Sequence, residues 1–148
     1  MLTEDDQQRR RQWFRRHWET GVAFNSLCGV RVARWDPDSV TIELPYADQL
    51  SAHEGTFHGG VVSALVDIAA TGAVMAGNDF NVGTQPVTLA MSVQYLSVAP
   101  GEDIVATARC PKRGRTNFVD VSVSSPSGKL VAQGIVTVAV TGRPPSGG

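Results

Sequence analysis

Apolar residues recur along the chain with two different spacings, which separate strands from helices. Over residues 40–44, apolar and polar residues alternate, and residues 30–32 show the same alternation. A period of two is typical of a half-buried strand. The stretch between them holds the turn-forming sequence Asp36-Pro37-Asp38. The pattern therefore predicts a β-hairpin over residues 30–44.

After a predicted loop over residues 45–57, the pattern changes to that of a long helix. Residues 59–78 are apolar almost throughout and end in a Gly-Asn stop signal. Ser63, Asp67 and Thr71 interrupt the apolar run at helical spacing and form one narrow polar stripe. Because this run is too short and too interrupted to span a bilayer, we predict a buried helix and no membrane insertion.

Four strand-like runs follow the helix, and short links rich in Gly, Pro, Ser or Arg separate the later ones. The runs are Thr84–Leu96, Asp103–Cys110, Asn117–Ser124 and Leu130–Val140. Short links of this kind predict an antiparallel meander. The expected fold class is α+β, with a long central helix wrapped by a curved antiparallel sheet.

Residues 3 to about 20 predict a further helix at the N-terminus. Thr3 is a suitable N-cap, and Phe14 and Trp18 lie one turn apart on the same face. Five arginines interleave with the aromatic residues of this segment, which raises nucleic-acid or membrane-surface binding as alternatives. Since the formal net charge of the whole chain is -1, we predict a packed helix with solvated arginines and no nucleic-acid partner.

The composition fits a single soluble domain. The chain has 148 residues, of which 42% are hydrophobic. The cysteines, Cys28 and Cys110, form neither a disulfide framework nor a zinc-binding pattern. The N-terminus is acidic and polar, unlike a secretory signal. We therefore expect a cytoplasmic protein without a bound metal or organic cofactor.

The start of the apolar helix is the first candidate for chemistry. Gly59 and Gly60 follow His58 and leave backbone N–H groups uncovered at the positive end of the helix dipole. Such donors suit a carbonyl oxygen or an oxyanion, although Gly-Gly before a helix is also a common tight turn. Asp67 is an isolated carboxylate in an apolar segment, so it either takes part in the chemistry of the site or faces water.

Motifs over roughly residues 40–140 resemble the PaaI-like (phenylacetic-acid-degradation-type) hotdog thioesterases. They are His58-Gly59-Gly60 with Asp67 nine residues after the histidine, Thr88 to Leu96, Gly101-Glu102-Asp103 and Gly128 to Gly134. The resemblance implies a hotdog domain over residues 26–141, preceded by the packed N-terminal helix of residues 1–25. Residues 142–148 are expected to form a flexible tail.

The resemblance also implies an activity, which is hydrolysis of an acyl-coenzyme A thioester. Asp67 is then the nucleophile or general base, and the Gly59 amide of a partner subunit polarises the carbonyl. Thr88 lies near the attacking water, and His58 supports the loop. Two protomers pair into a continuous sheet, giving a homo-oligomer that is a dimer or a dimer of dimers, the tetramer of this family.

Further residues are predicted to contact the substrate, whose acyl group is medium-chain, long-chain or aromatic. The binding candidates are His53, Phe57, Gly60, Ser63, Met91, Lys112, Arg113 and Arg115, and Leu65 and Val66 are expected to line the acyl tunnel with Phe57 and Met91. The three cations lie on one turn and are suited to grip the phosphates of coenzyme A. The alternative for that turn is a solvated hairpin tip.

One position departs from the family pattern. Similar enzymes carry Asn or Gln six residues before the motif histidine, where this chain has Ala52. His53 and Gln49 are the nearby candidates to replace that amide. The departure keeps a second class open, a non-catalytic acyl-CoA or acyl-ligand binding protein. A hotdog dehydratase is a weaker alternative, because the chain lacks an acidic-histidine motif of that kind.

Overall fold

Three helices and eight strands build the part of the chain that the computed structural model describes, which is residues 1–53, 55–99 and 101–143. The helices are α1 (Glu4–Thr20), α2 (Ala23–Cys28) and α3 (Gly59–Ala76). The strands are β1 (Arg31–Asp36), β2 (Ser39–Leu44), β3 (Ser51–His53), β4 (Thr56–Phe57), β5 (Gln85–Tyr95), β6 (Ile104–Lys112), β7 (Thr116–Ser124) and β8 (Leu130–Thr141). The predicted hairpin, long helix and four later strands are confirmed.

The main sheet has six antiparallel strands in the order β1-β2-β6-β7-β8-β5. The predicted four-strand meander is therefore wrong at one position, because β5 pairs with β8 instead of β6. The edge of β2 takes β6 as its partner, with Ile42 opposite Ala106. The connection over residues 96–103 is longer than a hairpin turn, so it can carry the chain from one edge strand to the middle of the sheet.

Helix α3 packs on one face of this sheet and supplies the centre of the core. Its fully buried side chains include Leu65, Val66, Ala69, Ala70 and Met75. The helix has the length and mean hydropathy, 1.7, of a membrane span, but 61% of it is buried inside the protein. Strand β8 approaches so closely at Gly134 that a Cβ there would lie 2.5 Å from Cγ1 of Val66. The lack of a side chain at Gly134 therefore allows β8 and α3 to pack this closely.

The N-terminal helix is attached to α3 by a tryptophan. The indole Nε1 of Trp18 donates to the Ile68 carbonyl oxygen at 2.9 Å, and the ring is buried. Gly72 leaves room for it, since a Cβ there would lie 3.0 Å from Nε1. Phe14 of the same helix stacks on Phe80 with 5.6 Å between ring centroids. These contacts fix α1 beside the polar stripe of α3.

A hydrogen-bond network centred on the buried Gln7 side chain joins the start of α1 to the loop after α3. The Asn81 backbone amide and the Gln7 side chain both donate to Asp79 Oδ1, at 2.9 and 2.8 Å. These bonds hold the pKa of Asp79 below its ordinary value. The Gln7 side chain also accepts from the Phe80 amide at 2.9 Å. Both ends of the Gln7 amide are thus paired, as burial of this residue requires.

Three segments differ from the sequence-based expectation or extend beyond it. The short helix α2 was not predicted, because six residues are too few to display a helical period. The predicted loop of residues 45–57 contains a short 3₁₀ turn at Asp48–Leu50 and the β3–β4 hairpin. Of the predicted tail, residues 144–148 lie outside the described residues, so the tail and the domain division remain predictions.

Candidate active site

Asp67 and Thr88 form the first half of the candidate site. Asp67 lies midway along α3 and is partly buried, and Thr88 reaches it from β5. The Thr88 hydroxyl donates to Asp67 Oδ1 at 2.6 Å. The second carboxylate oxygen has no hydrogen-bond donor among the residues that the structure describes. It is therefore available to accept a proton or to attack a carbonyl carbon.

A groove of about 330 Å³ opens above Asp67, and it is mostly apolar. Its apolar lining includes Trp18, Phe24, Ile68 and Pro86, and its polar lining consists of Asn25, Asp67, Thr71 and Thr88. Phe24 is half-exposed, whereas Trp18 and Ile68 are buried. The N-terminal helices α1 and α2 thus contribute a wall of the cavity into which the candidate base points. Such a surface is suited to an apolar group rather than to a charged one.

The second half of the candidate site is the start of α3. His58 is the N-cap, and its Nδ1 accepts from the Gly60 amide at 2.8 Å. The His58 carbonyl oxygen accepts from two amides of the first helical turn. The Gly59 carbonyl oxygen accepts from the Tyr95 hydroxyl at 2.8 Å. Of the four polar groups of the two peptide units around Gly59, three are paired.

The fourth group is the Gly59 N–H, which meets no acceptor within the described ranges of the chain. It is exposed at the positive end of an 18-residue helix. An unpaired N–H held by bonded neighbours is a preorganised donor for developing negative charge. The structure therefore provides at Gly59 the geometry expected of an oxyanion-binding amide.

The groove beside Gly59 shows what stands at the position of the missing family amide. It has a volume of about 430 Å³, and its lining includes Ala52, His53, Phe57 and Tyr95. Ala52 offers only a methyl group there. His53 is exposed in the same groove, whereas Gln49 is not among the lining residues. Of the two predicted replacements, only His53 is placed to contact a ligand at Gly59.

The two halves lie far apart within one chain. Asp67 follows Gly59 by eight residues on the same helix, which corresponds to about 12 Å along the helix axis. They also line different grooves. A single thioester carbonyl cannot contact both groups of the same chain.

Comparison with known proteins identifies the family. Residues 54–132 match the thioesterase superfamily, which is more than half of the chain. The chain belongs to the thioesterase superfamily. The predicted family and α+β hotdog fold class are confirmed, and so is the prediction of a thioester hydrolase. The finer placement among PaaI-like enzymes stays a prediction.

Individual relatives agree with this result. Acyl-coenzyme A thioesterase 13 of Mus musculus is 37% identical over 101 residues, covering 66% of this chain and 70% of the relative. The crystal structure of thioesterase superfamily member 2 from Mus musculus is 29% identical with a TM-score of 0.74, covering 89% of this chain and 97% of that one. A thioesterase family protein of Silicibacter pomeroyi has a TM-score of 0.80 at 21% identity, covering 88% and 98%, and supports the fold alone.

In this superfamily member, strand β5 forms one edge of the sheet. Its outer backbone groups pair with no other strand in the described part of the chain. The strand carries exposed apolar side chains, among them Val87, Leu89 and Met91, which are 44%, 59% and 41% exposed. A long, apolar edge strand of this kind is rarely left open to solvent.

Several residues that were predicted to contact the substrate make contacts within the protein instead. Leu65 and Val66 are fully buried in the core, so the prediction that they line the acyl tunnel is wrong. They occupy the face of α3 that packs on the sheet. Phe57 is buried against Tyr46 and reaches the Gly59 groove. The Ser63 hydroxyl pairs with the Tyr95 hydroxyl.

Of the three cations on the turn between β6 and β7, one has a structural role and two are exposed. The Arg113 guanidinium donates to the carbonyl oxygens of Ala73, Val74 and Pro37 at 2.9, 3.0 and 2.8 Å. Burial lowers the pKa of this guanidinium. Arg113 thus caps the C-terminal end of α3, and its predicted role in gripping phosphates is not supported by these contacts. Lys112 and Arg115 remain exposed on the turn.

Sequence reasoning missed Tyr95 and Phe24 as site residues. Tyr95 ends β5, and its position beside Gly59 depends on the crossing of β5 to the edge of the sheet, which the sequence did not reveal. Phe24 lies in the unpredicted helix α2. Within the described residues, no three His, Cys, Asp or Glu side chains form a group that could hold a metal ion.

Proposed function

We propose that this thioesterase hydrolyses an acyl-coenzyme A to the free acid and coenzyme A in a site shared by two copies of the chain. Asp67 acts as nucleophile or general base, and the Gly59 amide of the partner subunit polarises the thioester carbonyl. The observation that carries the proposal is the pair of incomplete halves, a carboxylate with one open oxygen and an amide with no acceptor. The similarity to acyl-coenzyme A thioesterase 13 supports the substrate class.

The chemistry follows from the two halves. As a general base, Asp67 takes a proton from a water that attacks the carbonyl carbon. As a nucleophile, it displaces the thiolate and forms a mixed anhydride, which water then hydrolyses. Thr88 holds one carboxylate oxygen and leaves the other directed at the substrate. In either route the Gly59 N–H stabilises the oxyanion, a contribution of about 10²–10³-fold in kcat for one donor.

The shared site requires a defined assembly. Pairing of β5 with β5 of a second copy would bury the exposed apolar residues of this strand and continue the sheet. A two-fold axis then produces two equivalent sites, each with Asp67 from one protomer and Gly59 from the other. We propose this homodimer as the minimal active unit, with the tetramer as a dimer of dimers and the cytoplasm as its location.

Substitution at Gly59 tests the amide alone. Gly59 is the first helical residue, a position that tolerates proline, and the extended His58 backbone is compatible with a following proline. Gly59→Pro therefore removes the N–H, while Gly59→Ala keeps it. A Cβ at residue 59 would lie 3.6 Å from the nearest Tyr95 atom, an ordinary contact. We expect Gly59→Pro to lose about 10²–10³-fold in kcat and Gly59→Ala to stay active.

Complementation tests the shared site. Asp67→Asn and Gly59→Pro are each expected to reduce thiol release from an acyl-CoA panel to a small fraction of the wild-type rate. When the two proteins are mixed and allowed to exchange subunits, half of the dimers are mixed, and each has one intact site. The mixture should regain about a quarter of wild-type activity. Two inactive variants that stay inactive after proven exchange would contradict the shared site.

A second candidate function rests on Ala52. Because a methyl group stands where similar enzymes have an amide, the protein could bind acyl-CoA without turning it over. Calorimetric binding of acyl-CoA by the wild-type protein, without release of free thiol, would establish this function instead. Thiol release that requires Asp67 would exclude it.

A further inference from the structure

The Gly59–Gly60 peptide unit is held on both sides by side chains. On one side, His58 Nδ1 accepts from the Gly60 amide, and on the other the Tyr95 hydroxyl donates to the Gly59 carbonyl oxygen. The Tyr95 hydroxyl is itself paired with the Ser63 hydroxyl, one turn further along α3. A chain of hydrogen bonds therefore connects the end of β5 to the start of the helix.

This support matters because two consecutive glycines are conformationally soft. Without a Cβ, the backbone torsions at Gly59 and Gly60 are less restricted than those of other residues. A donor that must point at one oxygen loses much of its effect when its peptide plane rotates. The Gly59 N–H belongs to the preceding peptide unit, whose His58 carbonyl oxygen accepts from the Val61 and Val62 amides. The two units join at the Gly59 Cα, so fixing the Gly59 carbonyl restricts the φ and ψ rotations of Gly59 that would change the direction of its N–H.

We infer that Tyr95 is a positioning residue for the Gly59 amide, with Ser63 as its support. The inference rests on the proposed function, in which the Gly59 N–H binds the oxyanion. Tyr95 has one hydroxyl hydrogen, and it is donated to the Gly59 carbonyl oxygen. It therefore acts through Gly59 and does not donate to the substrate carbonyl itself.

The inference also explains how the site works with Ala52. Similar enzymes add an amide side chain at that position, whereas this chain has a methyl group. The Gly59 N–H must then supply more of the stabilisation of the oxyanion by itself. The orientation of that one donor, and hence the Tyr95–Ser63 pair, becomes correspondingly important.

Tyr95→Phe removes only the hydroxyl and tests the inference directly. In steady-state hydrolysis of an acyl-CoA, we expect kcat to fall about tenfold while KM stays within about twofold. Ser63→Ala should lower kcat by a smaller factor. The double variant should be no worse than Tyr95→Phe alone, because Ser63 acts only through Tyr95. The pH profile of kcat/KM should keep its shape.

Tyr46→Phe is the matched control. The Tyr46 hydroxyl is buried and has no hydrogen-bond partner in the described structure, so its removal is the same chemical change without the contact to Gly59. We expect this variant to keep wild-type kcat. Sedimentation of each variant checks the dimer, since Tyr95 is 53% exposed on the edge strand.

Four results would overturn the inference. They are a Tyr95→Phe enzyme with kcat within twofold of wild type, a rise in KM at unchanged kcat, additive losses in the double variant, and a loss of activity that follows dissociation of the dimer. The proposed function fails by a different result, which is no thiol release by the wild type or full activity of Asp67→Asn. Either of these two results would also rule out the positioning role of Tyr95.

Discussion

The assignment of Arg113 to the end of α3 gives the most direct prediction for stability. Arg113→Met removes three hydrogen bonds to carbonyl oxygens and a cation at the negative end of the helix dipole. Bonds from a charged donor contribute about 1.5–3 kcal/mol each, but water can partly replace them at this half-buried position. We therefore expect a loss of about 2–4 kcal/mol in the free energy of unfolding.

The assay is thermal unfolding at a fixed protein concentration, because formation of the proposed dimer would make Tm depend on concentration. For a domain of this size, a loss of about 2–4 kcal/mol lowers Tm by roughly 5–15 °C. Arg115→Met is the matched control, since Arg115 is exposed on the same turn and caps no helix. It should leave Tm unchanged and raise KM for acyl-CoA. Equal Tm values for the two variants would refute the capping role.

Three further predictions test the site, the core and the pH response. Thr88→Val removes the hydrogen bond to Asp67 and should lower kcat about tenfold in the thiol-release assay, whereas Thr88→Ser should retain most activity. Gly134→Ala places a Cβ against Val66 and should cost about 1–3 kcal/mol in urea unfolding; an unchanged midpoint would show that β8 can shift. The pKa of Asp79 is lower in the folded protein than its ordinary value of 3.8. The stability that Asp79 contributes is therefore fully present at a pH above 3.8 and is lost as the pH falls through the lower pKa of the folded state. Asp79→Asn should therefore flatten the loss of stability between about pH 5 and pH 2, and an unchanged acid limb would contradict this.

The elements of the fold were predictable because their signals are local. The period-two pattern at Ile42 and the apolar run around Asp67 each report which side of one element is buried. The position of β5 was not predictable in this way. Strand pairing between β5 and β8 joins segments separated along the chain, and a turn sequence carries no information about such a partner.

The candidate site was only partly predictable for a similar reason. A rare carboxylate in an apolar helix and a glycine pair at a helix start marked Asp67 and Gly59 as candidates, and the resemblance to PaaI-like thioesterases supplied their predicted roles. The roles of Arg113 and Tyr95 depend on which carbonyl oxygens lie within reach after folding, and residue type alone did not distinguish them from exposed side chains.

The separation along α3 between the Asp67 carboxylate and the Gly59 amide makes catalysis depend on protein concentration under the proposed mechanism. Under the proposed mechanism, a folded monomer contains both Asp67 and the Gly59 amide but cannot bring the two to the same thioester. The monomer is therefore inactive. Specific activity should then rise with enzyme concentration and level off once the β5 edges are occupied, so that dilution inactivates the protein without unfolding it.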